Sequence, residues 1–207
     1  MIDAAELLVR LVRTPSPSGD EGEAAAVLAE WAGVHGLAAE VDDTAVRLTV
    51  EGAEPGPTLL MASHLDTVPP GDGWSVPPYD GVVADGALTA RGAVDAKASV
   101  SAMAAAAAEL AAAGGPEAGR LVVLATYSEE NRNTSMPLAL AGLGAQPDAA
   151  IVGEPTSLEP CIAQRGQLLV ELHWDGDQVH AGWAAGRDPA PVNAIALAAR
   201  DLAALAA

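Results

Sequence analysis

The chain has 207 residues, half of them apolar, which is enough material for one domain and part of a second. Its formal net charge of −18 argues against partners such as nucleic acid or an anionic membrane, because phosphate groups would be repelled. The single cysteine, Cys161, excludes an intrachain disulfide and a thiolate zinc cluster, so a cytoplasmic location is expected. The longest apolar run, residues 102–108, is far shorter than the ~20 residues of a membrane span.

Helical and strand patterns alternate along the first 160 residues. Helices are predicted where apolar residues recur at spacings of three and four, and strands where they alternate or form short runs. In chain order the predicted elements are helix 2–12, helix 21–32 with Asp20 as its N-cap, strands 38–41, 46–50 and 58–62, a hairpin over 81–90, helix 98–113, strand 121–126, helix 135–143 and strand 149–152. The last two strands are nearly continuous apolar runs, as in buried parallel strands. The order predicts an α/β fold with a mixed, mostly parallel sheet flanked by helices.

The pattern changes after Pro160. Residues 167–174 alternate between apolar and polar side chains, which predicts a strand in a more open sheet. Residues 192–207 predict a helix that runs to the end of the chain. We therefore expect two domains, 1–162 and 163–207, with the second one incomplete.

The first candidate functional residues, His64 and Asp66, directly follow the predicted strand at 58–62. If the strand continues, both side chains lie on the same side of it. An imidazole with a carboxylate beside it suits a metal ligand whose ring is oriented by a second group. A His-x-Asp pair is not diagnostic by itself, however.

Four further carboxylates occupy comparable positions: Asp95 before helix 98–113, Glu129 and Glu130 after strand 121–126, and Glu154 after strand 149–152. Taken singly, Asp95 could be a helix N-cap, the glutamate pair a solvated turn, and Glu154 an exposed loop residue. Adjacent carboxylates at a buried strand end need positive compensation, which a divalent metal would supply. Ligands commonly lie at the carboxyl ends of strands in open α/β sheets, so these groups together predict a metal site. Oxygen and nitrogen donors suit zinc, cobalt or manganese.

The order of these motifs resembles the di-zinc aminoacylase and carboxypeptidase family. The motifs are His64-x-Asp66, Gly92-x-x-Asp95-x-Lys97, Glu129-Glu130 and Gly153-Glu154-Pro155. That family includes acetylornithine deacetylase, succinyl-diaminopimelate desuccinylase and the hydrolases that release lysine or ornithine from an amino-group carrier protein. The resemblance covers essentially the whole chain. It implies a zinc-peptidase-like catalytic domain followed by the start of a small α+β lid or dimerisation domain.

The resemblance also implies a metal-binding role for four residues. His64, Asp95 and Glu154 would hold one zinc ion, and Asp95 would bridge to a second ion bound by Glu130. Cobalt and manganese are the alternatives to zinc.

Three more residues receive catalytic roles from the same resemblance. Glu129 would be the general base that accepts a proton from water, and Asp66 would orient the imidazole ligand. His180, within Val179-His180-Ala181-Gly182, would reach into a neighbouring subunit's site and stabilise the developing oxyanion, which implies a homodimer.

One expected ligand has no counterpart in the sequence. The family's second metal also uses a histidine from the C-terminal part of the catalytic domain, and no histidine follows His180 here. We therefore expect a truncated form with weak or no activity. The implied reaction is hydrolysis of an amide bond in an N-acyl amino acid or a carrier-protein-linked lysine or ornithine, within lysine or arginine biosynthesis. The alternatives are a non-catalytic metal-binding or dimerising remnant, and a dipeptidase or aminoacylase.

Overall fold

The computed structural model describes residues 2–131, 134–166, 168–184, 186 and 190–205. The chain divides into two compact units, Met1–Pro160 and Cys161–Ala207. None of the described helices is both long and apolar enough to cross a membrane.

The first unit consists of helices and strands in the alternating order that the sequence predicts. Its described helices are α1 (Ala4–Val12), α2 (Gly22–Val34), α3 (Ala98–Ala112) and α4 (Ser135–Ala141). Its described strands are β1 (Ala39–Val41), β2 (Ala45–Glu51), β3 (Glu54–His64), β4 (Val82–Ala84), β5 (Ala87–Thr89), β6 (Ala118–Thr126) and β7 (Ala149–Val152). A short irregular turn, Ala93–Lys97, leads directly into α3.

Five of these strands form one sheet in the order β1-β2-β6-β3-β7. Strand β3 runs parallel to both β6 and β7, whereas β1 and β2, and β2 and β6, pair antiparallel. The mixed sheet flanked by helices is thus confirmed, with parallel and antiparallel pairings in equal number. The predicted hairpin is the separate β4–β5 pair.

The sheet is covered on both faces, because side chains along a strand alternate between them. On β6, Leu121 and Val123 face a large core that includes the apolar sides of α1, α2 and α3. Val122 and Leu124, on the opposite face, pack in a smaller core with Ala139 of α4. This explains why the sequence of β6 is continuously apolar, as a strand buried on both faces requires.

Three local predictions were wrong. The predicted cap Asp20 lies outside α2, whose N-cap position is Glu21 without a capping side-chain hydrogen bond. Strand β7 exists, but it is exposed because it is the last strand of the sheet, and Ile151 and Val152 are 51% and 60% exposed. Described residues 168–174 form no strand, and Gln167 lies outside the described residues.

The second unit holds two described helices, α5 (Ala181–Ala184) and α6 (Ala194–Leu205). Leu168 and Leu169 are almost fully exposed, and none of the described residues of α6 is buried. An alternating sequence forms a stable strand only when its apolar face is buried and its backbone is paired. Neither condition holds for residues 168–174, which explains the missing strand. The last predicted helical residues, Ala206 and Ala207, lie outside the described part of the chain.

Candidate metal centre

Two neighbouring parallel strands and one turn bring the candidate ligands together. His64 ends β3 and is in register with Thr126, the last residue of β6, so Glu130 follows in the loop beside it. Asp95 comes from the turn Ala93–Lys97. One potential ligand atom from each of His64, Asp95 and Glu130 lies within 4.8 Å of the others. The carboxyl ends of two strands and the turn before α3 therefore bring together three nitrogen and oxygen donors.

The His64 ring is buried and fixed at both nitrogens. Its Nε2 lies 3.0 Å from Asp95 Oδ1, and its Nδ1 lies 3.0 Å from the backbone oxygen of Asp66 and 3.4 Å from the Asp66 carboxylate. With Nδ1 directed to Asp66, Nε2 faces the carboxylates across the site. Burial by itself lowers the pKa of His64, but hydrogen bonding and attraction to Asp66, with the charge of Glu154, raise it to about 9.

The Asp66 carboxylate is a shared hydrogen-bond acceptor next to the three candidate ligands. It is fully buried and accepts hydrogen bonds from Ser18 Oγ at 2.7 Å, Glu129 N at 3.0 Å and Glu130 N at 3.1 Å. Burial acts to raise the pKa of Asp66, but the hydrogen bonds from His64, Ser18 and the two amides prevail and lower it. Asp66 thus orients the histidine and also the loop that carries both glutamates.

The remaining carboxylates leave the site with excess negative charge. Loss of hydration and the nearby charge of Asp95 raise the pKa of Glu130, against the attraction of His64. Loss of hydration likewise raises the pKa of Glu154, together with repulsion from Asp95, Glu129 and Glu130. Repulsion among the carboxylates disfavours their ionised forms, and a bound divalent cation would relieve it. The donor set and its charge therefore fit a divalent metal such as zinc.

Glu154 adjoins the site but is not part of the three-residue group. The residue before it, Gly153, is fixed to β3, since its N–H donates to Ala62 O and its carbonyl accepts from Ser63 Oγ, both at 2.8 Å. A Cβ at Gly153 would lie 2.5 Å from Ser99 Cβ and 2.8 Å from Met103 Cε of α3, so only glycine fits this close approach. Glu154 lies close enough for its charge to help raise the pKa of His64, and its own pKa is raised by the neighbouring carboxylates.

His180 belongs to the second unit. Its Nδ1 accepts a hydrogen bond from Gly182 N at 3.2 Å, and its ring lies 6.0 Å from that of Trp183, centroid to centroid. Its expected role in a neighbouring subunit's site remains a prediction.

Sequence reasoning assigned no supporting role to three residues whose contacts hold the loops and the turn of the site: Ser18, Glu21 and Lys97. Lys97 is fully buried, and its Nζ donates to Leu11 O at 2.8 Å and Thr14 O at 2.9 Å. Burial lowers the pKa of Lys97 to about 8, although the charge of Asp66 acts in the opposite direction. The motif spacing did single out Lys97, but its partners lie more than 80 residues earlier in the chain, so no local signal indicated the contact.

The sequence of residues 60–206 matches Peptidase family M20/M25/M40. The chain belongs to this family. It is 33% identical over 195 residues to succinyl-diaminopimelate desuccinylase of Paracoccus denitrificans, and this match covers 87% of the chain and 51% of the relative. The chain thus spans about half the length of the curated relatives it matches.

Solved structures of family M20 share the fold. The M20 family metallo-carboxypeptidase Sso-CP2 from Sulfolobus solfataricus superposes with a TM-score of 0.64 at 22% identity, covering 73% of this chain and 37% of that one. The Bacillus subtilis YXEP protein, described as a dinuclear metal binding peptidase, gives a TM-score of 0.55 at 20% identity, covering 72% of this chain and 42% of that one. The family resemblance deduced from the motifs is therefore confirmed.

Proposed function

We propose that this chain is the metal-binding part of a hydrolase that cleaves the amide bond of an N-acylated amino acid. The observation that carries the proposal is the group formed by His64, Asp95 and Glu130, whose ligand atoms lie within 4.8 Å of one another. Beside it, the backbone of Glu129 is fixed to the buried Asp66 carboxylate at 3.0 Å. A site with metal ligands and an adjacent free carboxylate suits hydrolysis better than a purely structural ion does.

The proposed metal is zinc, with His64, Asp95 and Glu154 at one ion and Glu130, with Asp95 bridging, at the other. The description of the Bacillus subtilis relative as a dinuclear metal binding peptidase supports two ions. A bound divalent ion would supply Lewis acidity, polarising the amide carbonyl and lowering the pKa of water.

Glu129 is the proposed general base. The backbone N–H of Glu129 donates to the Asp66 carboxylate, and this hydrogen bond fixes the backbone from which the Glu129 side chain projects. In the proposed reaction the Glu129 carboxylate accepts a proton from the attacking water and delivers it to the leaving amine. His180 is the proposed donor to the developing oxyanion, supplied by a second subunit of a homodimer.

The proposed substrate is a small N-acyl amino acid, with N-succinyl-diaminopimelate first because of the name of the Paracoccus denitrificans relative. Such a reaction belongs to lysine biosynthesis, and a cytoplasmic location is part of the proposal. Acetylornithine, a carrier-protein-linked lysine or ornithine, and dipeptides are the substrates to compare with it.

A second candidate function is a metal-binding or dimerising module without catalysis. The observation in its favour is that His64, Asp95 and Glu130 can hold an ion whether or not Glu129 takes part in a reaction. The presence of Glu129 beside the donors opposes it, because a structural metal site does not need a free carboxylate.

The deciding experiment measures metal content and hydrolysis on the same preparations. The purified chain is saturated with zinc, freed of excess metal and analysed for metal per chain, and then assayed on N-succinyl-diaminopimelate and N-acetylornithine. We expect His64→Ala to lose metal, and Glu129→Ala to keep metal but lose hydrolysis. The exposed Glu23 provides the matched control Glu23→Ala, which should change neither.

Each alternative result has a distinct meaning. Undiminished hydrolysis by Glu129→Ala would rule out the proposed base. Metal binding without turnover in any preparation would favour the non-catalytic module. No metal in the unmodified chain would refute the proposal altogether.

A further inference from the structure

The segment between α1 and α2 ties together the two loops that carry the candidate site. Ser16 Oγ donates to Leu65 O at 2.7 Å, and Thr67 N donates to Ser16 O at 2.9 Å. Two residues later, Ser18 Oγ donates to the Asp66 carboxylate at 2.7 Å. The segment is therefore hydrogen-bonded to the three residues directly after His64.

Glu21 extends this connection to the glutamate loop. Its side chain is buried, and its Oε1 accepts hydrogen bonds from Ser128 N at 2.9 Å, Ser128 Oγ at 3.4 Å and Gly19 N at 2.9 Å. Glu21 occupies the N-cap position of α2 but makes no capping hydrogen bond to that helix. A carboxylate at this position usually accepts from the helix's own free N–H groups. Here it accepts instead from a residue 107 positions further along the chain.

The residue held by Glu21 has an unusual backbone conformation. Ser128 has a φ of +53°, in the left-handed region that residues with a Cβ seldom adopt. Directly after this turn, the N–H groups of Glu129 and Glu130 both donate to Asp66. Glu21 and Asp66 therefore hold three consecutive amides, and with them the point from which both glutamate side chains project. Surrounding contacts of this kind are what make a costly backbone conformation persist.

We propose that Glu21 is a positioning residue for Glu130 and Glu129, acting through Ser128. In the absence of the Glu21 acceptor, Ser128 loses its partner, the left-handed turn relaxes, and Glu130 leaves the position that brings its carboxylate within reach of His64 and Asp95. The inference rests on the proposed metal function, since it assigns Glu21 to the ligand geometry of that site.

The test compares two substitutions of nearly equal size. Glu21→Met keeps the length and burial of the side chain but removes the acceptor, whereas Glu21→Gln keeps an Oε1 that accepts from Ser128. Zinc affinity is measured by competition with a chromophoric chelator, and cobalt binding is followed by its visible absorption spectrum. We expect Glu21→Met to weaken binding about 10- to 100-fold, the usual effect of losing a group that orients a ligand, and to alter the cobalt spectrum. Glu21→Gln should restore both, and the exposed control Glu23→Ala should change neither.

A double-substitution cycle separates positioning from general loss of structure. If Glu21 acts through Glu130, then Glu21→Met combined with Glu130→Ala binds zinc no more weakly than Glu130→Ala alone. Additive losses, or unchanged affinity and spectrum in Glu21→Met, would overturn the assignment. Glu21→Ala provides a second test if the methionine variant does not fold.

Amide hydrogen exchange without metal tests the contact independently of the proposed function. The amides of residues 128–130 should exchange at least tenfold faster in Glu21→Met than in the unmodified chain, and Glu21→Gln should show protection close to normal. Equal exchange in all three proteins would refute the positioning role, whether or not zinc binds. An unmodified chain that binds no zinc would refute the metal function and the role of Glu21 toward it, while faster exchange would still show that the turn depends on Glu21.

Discussion

Replacement of Asp66 by asparagine tests whether one buried carboxylate holds the candidate centre together. Its Oδ1 accepts from Glu129 N, and its Oδ2 accepts from both Glu130 N and Ser18 Oγ. Asparagine has nearly the same shape, but one of its two terminal atoms is an NH₂ donor. Whichever way the amide is oriented, one backbone N–H of the glutamate pair then faces another donor.

The expected magnitude follows from these contacts. A buried donor without an acceptor costs about 1–3 kcal/mol, and hydrogen bonds to a charged acceptor contribute about 1.5–3 kcal/mol. Removing a buried charge offsets part of this loss. We therefore expect Asp66→Asn to lower the free energy of unfolding by about 2–4 kcal/mol, a large part of the ~5–15 kcal/mol of a typical domain.

Urea unfolding in the presence of a chelator measures this effect without any contribution from metal. Fluorescence of Trp31, which is buried in the large core, reports on the first unit. The control is Asp43→Asn, at an exposed carboxylate on the same unit, which should stay within about 0.5 kcal/mol. An Asp66→Asn protein as stable as the control would refute the role of the Asp66 carboxylate in holding the loop that carries Glu129 and Glu130.

Four further predictions concern the buried lysine, the histidine and the edge strand. Lys97→Met should destabilise the fold by about 2 kcal/mol in urea unfolding, because the carbonyls of Leu11 and Thr14 lose a buried donor; unchanged stability would contradict this. Zinc affinity should rise about tenfold per pH unit from about pH 7 towards pH 9, because the metal must displace the proton on His64, whose pKa is about 9; a flat profile in a chelator competition would exclude that proton. In the absence of metal, the raised pKa of His64 adds to the free energy of unfolding. This contribution is fully present below pH 6.5 and is lost as the pH rises through about 9. An exposed edge strand can pair with another chain, so we expect self-association in sedimentation velocity. Ile151→Lys should reduce it and change the free energy of unfolding by less than about 0.5 kcal/mol, because Ile151 is 51% exposed on β7, the last described strand of the sheet; unchanged association would show that this edge does not mediate it.

Local sequence patterns predicted both the element and its burial wherever the surrounding fold buries the apolar residues of that element. Strand β6 is apolar throughout because it is buried on both faces, and α3 is rich in alanine because it lies close against the sheet. Strand β7 has the same apolar pattern and yet is exposed, because no described strand pairs with its outer edge. An apolar sequence shows that a strand is suited to burial. Whether its side chains are buried depends on neighbouring elements, which the local sequence does not specify.

In the candidate site, too, some residues were predictable from local sequence and others were not. His64, Asp95, Glu130 and Glu154 were all predicted as ligands because each stands beside the end of a recognisable strand or helix. The structure groups the first three, and the role of Glu154 stays a prediction. Ser18 and Glu21 were not predicted, since their partners Asp66 and Ser128 are 48 and 107 residues away. A serine and a glutamate in a turn-rich segment are ordinary surface residues by composition, and only the fold shows them to be supports of the site.

Among the described residues, the contacts that shape the proposed metal centre come from residues before Pro160. Asp66 fixes the histidine and the glutamate loop, Lys97 fixes the turn next to Asp95, and both partners of Lys97 are in or just after α1. The described residues of the first unit therefore bring three donors together through contacts among themselves. The proposed hydrolysis would require more, because the proposed oxyanion donor His180 lies in the second unit and would act from another subunit. Metal binding and hydrolysis can therefore be tested separately. A chain that binds zinc without hydrolysing its substrate would indicate that hydrolysis needs groups outside the metal ligands.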